Sequence, residues 1–521
     1  MSIKANSSTK LLRKPSFRLY NGGFFVAVTA SILAVSAPLA AQEASQVIPA
    51  VLSVDNISQA RLDSLPAAID EMVEEQLVTS EVAGAVVTVV YDGKVFYKKG
   101  YGFKNIEDEV RIDADDTLFR PGSVSKLFTW VALMQQIEAG KVALDADVND
   151  YIDFEIPSNG FEPIKIRDLF SHSPGMSDIS GFIFYDSKEL IPYSEWIKSR
   201  VPRRVWAPGV ETAYSNFGAA LAGYIVEQVS GEPFADYTEK HLFNPLGMTS
   251  TTFREPLTGE LKENMATGYK VEDGEFVAKG PEFLSVVMPA GSNSATGVDM
   301  ARFMLAMLNG GKLDGAEILK ESSVDFLQSN SFSNAPHLPG MGHGFLIERD
   351  ESPRLVGHAG NTVDFHSDLV IAPELGFGYF ISMSGGEGSS DARTELTQAI
   401  KGHMFPQKPT PRWEGPEETA PLGRYRSNRR DYAKAPNPDY DVIISQTPNG
   451  LEVNVHDETA IWEPIGPHLY EKVTDVPEGG PYDRLEFYDT PRGARLSFAS
   501  TPYTSYHYIP SDTDNDVKKE E

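Results

Sequence analysis

The 521-residue sequence contains no cysteine. A thiol nucleophile, a zinc-cysteine site, a disulfide scaffold and a cysteine lipid anchor are therefore excluded. Positive charge is scarce: 46 Lys and Arg stand against 74 Asp and Glu, a formal net charge of −28. Neutralising phosphates needs basic surface, so this balance argues against a nucleic-acid partner. Beyond the N-terminal region no run approaches the roughly 18 apolar residues of a membrane helix. There is no G-x-S-x-G elbow, H-E-x-x-H pair, Walker A loop or dinucleotide glycine fingerprint. The ten histidines form no helical ligand pair. Core-forming material, by contrast, is ample: 41% of residues are apolar and 10% aromatic. That sets aside a disordered acidic chain, and the length suggests roughly two to four domains.

The N-terminal segment reads as a targeting signal. Lys4, Lys10, Arg13, Lys14 and Arg18 make a basic start, and no acid occurs in the first 41 residues. The apolar run Phe24 to Val35 and the small-residue stretch SAPLAAQEA follow. Charged, apolar and small segments in that order make a secretory signal, with cleavage expected near Ala41. The expectation is an exported protein of the bacterial periplasm, without stable membrane insertion after cleavage. An uncleaved anchor is the alternative, although the run is short for a bilayer.

Residues 42–60 read as a linker and 61–405 as one large domain. A helical pattern begins at Leu65. Two β-rich runs then flank Asp92-Gly93, a strong hairpin signal. Residues 121–141, 218–231 and 295–311 carry helical periodicity. Strand signals return at GFLIERD, RLVGHAGN and residues 367–386, followed by a helix around ARTELTQAIKGHMF. Strands at both ends with helices between predict an α/β (α+β) sandwich with a mainly antiparallel sheet and an all-helical region. Residues 406–423 are proline-rich and read as a linker. Residues 424–511 hold short strand patterns, predicting a C-terminal all-β barrel or sandwich. Residues 512–521 read as a disordered tail.

Three motifs carry chemistry. Ser123-Val124-Ser125-Lys126 opens a buried helix, and the i, i+3 spacing puts Ser123 and Lys126 on one face. A serine hydroxyl needs a base to take its proton, and a desolvated lysine can be that base. The helix start supplies free amides suited to an oxyanion. Alone, S-x-x-K is weak: Ser7 to Lys10 matches it, and a helix cap with an incidental lysine explains it. Tyr214-Ser215-Asn216 alone is an ordinary turn, and His358-Ala359-Gly360 alone is a strand with a satisfied histidine. Together, in this order over about 240 residues, they rarely coincide by chance.

The set resembles the β-lactamase-related serine hydrolases: class C β-lactamases, D-Ala-D-Ala carboxypeptidases, D-aminopeptidases and related esterases. IRDLFSHSPGMSD (166–178), PGVETAYSNFGAALAGYIVEQVSGEP (208–233), LFNPLGMTSTTF (242–253) and PAGSNSATGVDMARF (289–303) extend the likeness over roughly residues 60–400. The resemblance implies the fold described above and an acyl-enzyme mechanism. Ser123 would attack the carbonyl, Lys126 would take its proton, and Tyr214 would be a second proton carrier. Asn216 would hold Lys126 and the substrate amide. His358 and Gly360 would lie on the strand edging the site, with the amides of Ser123 and Asn361 as the oxyanion hole. His172 reads as structural, and Asp364 and His366 are candidates for lining the pocket. The third motif departs from the K-T-G of β-lactamases: histidine is mostly neutral at pH 7, which weakens the attraction for a penicillin carboxylate.

The leading expectation is thus a serine peptidase acting on short peptides, including D-residue or linearised non-ribosomal ones. A carboxylesterase or β-lactamase, and a silent penicillin-binding sensor module, are the rivals. No metal or organic cofactor is implied, since serine, lysine and tyrosine suffice for acyl transfer. The β-domain could cap the site, bind a polymer or mediate dimerisation.

Overall fold

A computed structural model describes residues 57–510, apart from 387, 416–420 and 457. The signal segment and the tail lie outside the described residues. Among the described residues no helix is long and apolar enough to cross a membrane.

The centre is a nine-stranded sheet in which every pair is antiparallel. Its strands are β1 (Val82–Tyr91), β2 (Lys94–Asn105), β3 (Val110–Arg111), β4 (Asn330–Phe332), β5 (Met341–Gly342), β6 (Leu346–Arg349), β7 (Leu355–Asn361), β8 (Phe365–Ala372) and β9 (Phe377–Gly385). Their order is β3-β2-β1-β9-β8-β7-β6-β5-β4. The N-terminal hairpin thus pairs with the C-terminal strands, and the helical residues between are looped out. Asp92 and Gly93 both take positive φ, 51° and 73°, as a tight hairpin turn requires. The central strands β1, β8 and β9 are buried on both faces, which explains their near-continuous apolar runs.

On one face lie helices α1 (Gln59–Thr79) and, later in the chain, Gly388–Met404. Leu62, Leu65, Ile69 and Val73 meet Val87, Val89, Ile381, Ala392 and Leu396 there. The other face carries the larger core, which includes α2 (Lys126–Glu138), α3 (Asn216–Ser230) and α4 (Gly297–Leu308). Lys126 to Met134 are all buried, so α2 is a central helix rather than an amphipathic one. Gly388–Met404 is α5 hereafter.

The C-terminal part is a closed barrel of eight strands, from Gly423–Ser427 to Tyr506–Ile509. Closure removes the exposed edges of so small a sheet. Tyr425, Leu451, Trp462, Leu485 and Leu496 fill its interior. The first strand, Gly423–Ser427, carries outward arginines, and Arg426 pairs with the buried Asp441 at 2.7 Å.

Candidate active site

The site begins where Pro121 and Gly122 turn the chain into a 3₁₀ segment, Gly122–Ser125, that runs into α2. Gly122 has φ 55°, and an added Cβ there would meet the Asn361 nitrogen at 2.9 Å. Glycine is needed on both counts. On the opposing strand, a Cβ on Gly360 would stand 2.0 Å from the Pro121 oxygen and 2.8 Å from the Ser123 nitrogen. Two bare glycines therefore let β7 close on the Ser123 turn. Ser123 and Asn361 are thereby brought to one cleft.

One helical turn past Ser123, Lys126 is fully buried. Its Nζ lies 3.0 Å from Ser123 Oγ, 2.8 Å from Asn216 Oδ1 and 2.6 Å from the Ala290 oxygen. Burial, with help from the Arg429 charge, pushes this amine well below the ordinary lysine range, against a smaller opposing effect of Asp178. In its neutral form the amine has two N–H groups, which the two carbonyl oxygens take. Its lone pair is left facing the Ser123 hydroxyl, which is the arrangement of a general base.

Tyr214 stands in the loop before α3, whose first turn Ser215 caps through Gly218 N–H. Its ring stacks on His172 at 4.4 Å, and His172 Nδ1 accepts from the Ser215 amide at 3.1 Å. His172 thus holds the loop and its tyrosine in place. Lys126 Nζ and the Arg429 guanidinium lie 4.8 and 4.6 Å from the Tyr214 ring centre. Burial raises the phenol pKa, and the Ser123 hydroxyl and Arg429 offset this only in part. Tyr214 therefore keeps its proton at neutral pH and is available as an acid.

His358 is buried beside it, with Nε2 3.5 Å from the Tyr214 oxygen. Its Nδ1 is 2.6 Å from the Ala359 oxygen, which assigns the ring proton to Nδ1. Burial, and to a lesser degree Lys126 when that amine is charged, push its pKa down to about 3, so this ring is neutral. Asn361 is fixed from behind: its Oδ1 lies 3.0 Å from His366 Nδ1 and 3.3 Å from Arg393 Nη2. His366 thus supports the site without lining it. Asp364 does not line it either: it pairs with Lys279 at 2.7 Å.

These residues open onto a cleft of about 200 Å³, with Phe182, Ile183, Leu284 and Val287 as its apolar wall. Two of its lining residues, Arg429 and Tyr503, come from the barrel. Arg429 is the one cationic side chain lining the cleft among the described residues. Its Nε donates to Asp178 at 3.2 Å. The barrel also holds the Tyr214 loop. The Tyr214 amide donates to the Tyr503 oxygen at 3.0 Å, and Asn428 Nδ2 donates to the Thr212 oxygen at 3.0 Å. Glu211 is buried against Arg492, Arg495 and His507, at 3.1, 3.4 and 3.2 Å.

Sequence reasoning placed Ser123, Lys126, Tyr214, Asn216, His358, Gly360 and Asn361, and the structure gathers all seven. It missed Arg429, Tyr503 and Asp178. One signal was available: four arginines within residues 424–430 of a strongly acidic chain.

Residues 69–403 match the beta-lactamase family model, and the chain belongs to that family of serine hydrolases and penicillin-binding-protein homologues. Protein flp of Staphylococcus aureus (strain N315) is 27% identical over 322 residues, covering 60% of this chain and 62% of flp. The chain thus spans about three fifths of the length of that curated relative. Among solved structures, the octameric penicillin-binding protein homologue from Pyrococcus abyssi superposes with a TM-score of 0.56 at 19% identity. It covers 85% of this chain and 99% of its own. SurE superposes at 0.59 and 19% identity, covering 86% of this chain and 99% of its own. At those identities the likeness is one of fold.

Proposed function

We propose that this protein is an exported serine peptidase that cleaves the last amide of short peptides bearing a free C-terminal carboxylate, through a Ser123 acyl-enzyme. The observation that carries the reading is the fully buried Lys126 amine, its basicity lowered by burial, 3.0 Å from the Ser123 hydroxyl, with the buried Tyr214 phenol beside it. Ser123 Oγ gives its proton to Lys126 Nζ and bonds to the substrate carbonyl carbon. The Ser123 and Asn361 amides hold the resulting oxyanion. Tyr214 gives its proton to the departing nitrogen as the C–N bond breaks, and Lys126 returns a proton to the phenol. Water then repeats the sequence in reverse and releases the acid.

The choice among substrates rests on charge. The third motif supplies no cation, because His358 is neutral. Arg429 stands at the cleft instead, and its terminal nitrogens make no hydrogen bond with the described residues. A guanidinium so placed suits a carboxylate. A D-residue is consistent with this reading: SurE, a neighbour in fold, has been solved with D-Leu. The basic and apolar N-terminal segment supports export.

Initial rates test the proposal on four probes: N-acetyl-D-Ala-D-Ala, its C-terminal amide, p-nitrophenyl acetate and nitrocefin. The free acid is expected to be cleaved at least tenfold faster than its amide, with an adduct mass on Ser123 and no turnover by Ser123→Ala. Ester turnover without peptide cleavage overturns the peptidase reading in favour of a carboxylesterase. A permanent β-lactam adduct with no turnover of any probe favours a silent penicillin-binding module.

A further inference from the structure

Beyond Tyr503 lies a second cavity of about 390 Å³, walled by β6 and α5 on one side and by barrel loops on the other. It is nearly twice the size of the catalytic cleft. Leu346, Ala359 and Tyr503 line both spaces, so these three side chains form the partition between them. The cleft alone falls below the roughly 300–1,000 Å³ of ordinary small-molecule sites, whereas the second cavity falls inside that range.

The chemistry of its walls is specific. Arg393 and Asp368 both line it and are only 8% and 3% exposed. Arg393 Nη1 pairs with Asp368 Oδ2 at 3.6 Å, Thr397 donates to the same oxygen at 2.9 Å, and Arg393 Nη2 reaches Asn361. The nearby Lys401 is neutralised by Glu348. The lining holds four acidic and four basic side chains, a polar wall of balanced charge that does not suit a fatty chain or a net-charged group. It suits backbone amides, which carry one donor and one acceptor each.

We propose that this cavity is the subsite for the acyl-side segment of a peptide substrate, and that Tyr503 determines how far that segment enters. The inference rests on the serine peptidase reading above. With the C-terminal carboxylate at Arg429, a longer peptide can extend only on the acyl side of the scissile bond. Tyr503 is the side chain that separates that extension from the added space.

The test compares Ser123 labelling by two probes of different reach on the full-length protein. Diisopropyl fluorophosphate is small; an N-acetyl-tri-D-alanyl diphenyl phosphonate carries an acyl-side peptide. In each case Ser123 Oγ bonds to phosphorus and expels fluoride or phenoxide, while its proton passes to Lys126. Tyr503→Ala opens the partition but keeps the backbone oxygen that receives the Tyr214 amide. Gln398→Trp, on the half-buried α5 wall, fills the cavity. The peptidyl-to-small rate ratio is expected to rise about tenfold in Tyr503→Ala and fall about tenfold in Gln398→Trp. Ratios within twofold of wild type in both variants, with Ser123 still labelled by the small probe, overturn the subsite alone. If neither probe labels Ser123 in the wild type, the nucleophile reading fails and the subsite falls with it.

Discussion

Replacing Gly360 with alanine isolates the oxyanion geometry. The new methyl would sit 2.0 Å from the Pro121 oxygen and within 2.8–2.9 Å of the Ser123 and Val124 nitrogens. All three are backbone atoms, so no flexible side chain can swing aside. Restoring ordinary contact requires β7 and the Ser123 turn to part by roughly 1 Å, the scale of displacement that can cost about 10²-fold in rate. Oxyanion donors work at about 2.7–3.1 Å, so a shift of this size removes one of them. Losing one donor typically costs about 10²–10³ in kcat, while overpacking costs about 1–3 kcal/mol of stability. Acylation of Ser123 should therefore slow about 10²-fold or more, measured by stopped-flow with an activated ester. The fold should persist by circular dichroism. Gly357→Ala is the control, because its methyl would meet the Leu369 oxygen at 2.0 Å, a clash of equal severity on the same strand away from Ser123. Similar acylation losses in both variants would refute the argument, since generic strand damage would then explain them.

Two further outcomes follow from charge. Arg429→Gln should lose the preference for a free carboxylate by about 10–100-fold in kcat/KM, given about 1.5–3 kcal/mol for a hydrogen bond to a charged group. Because the Arg429 charge helps to depress Lys126, the same variant should move the acid limb of the pH–rate profile toward higher pH. At Glu211, burial alone would raise the carboxyl, but His507, Arg492 and Arg495 outweigh it and hold the pKa down at about 2, against an ordinary 4.5. A depressed carboxyl stabilises the fold above its unfolded pKa and loses that contribution as pH falls toward 2, here about 3 kcal/mol. Urea titrations from pH 6 to pH 2 should show this loss in the wild type and a smaller one in Glu211→Gln.

The part of the site that local pattern specifies was legible in the sequence. S-x-x-K needs only helical spacing to bring Ser123 and Lys126 together, and Asp92-Gly93 needs only its turn preference to form the hairpin. Element limits were less legible where special backbone intervened. The periodicity beginning at residue 121 becomes α-helix only at Lys126, because Gly122 at φ 55° forces a 3₁₀ turn first. The strand Gly423–Ser427 straddles the limit between the linker and barrel patterns, because its neighbours are proline-rich and its alternate positions are arginines. Those arginines are explained by Asp441, a partner 15 residues or more further on. Arg429 was illegible for a deeper reason. Its place above Tyr214 depends on how the barrel seats on a loop some 200 residues earlier, and no periodicity encodes that.

The placement of positive charge explains why the barrel belongs to the site. His358 is 1% exposed, and a permanent cation there would stand in the same buried space as Lys126. Arg429 carries the charge at the rim, where its side chain is 35% exposed and Asp178 partners it. On the proposed mechanism catalysis depends on the barrel twice. Arg429 would hold the substrate carboxylate, and the Tyr503 oxygen with Asn428 fixes the Tyr214 loop. Asn428→Ala separates the two roles, since it keeps the Arg429 side chain while removing the shorter of the two hydrogen bonds to the Thr212 oxygen, the other coming from Asn334 at 3.3 Å. It should lower kcat at nearly constant KM, whereas Arg429→Gln should act mainly on KM. If Asn428→Ala leaves kcat untouched, the barrel serves binding alone and the loop holds its tyrosine unaided.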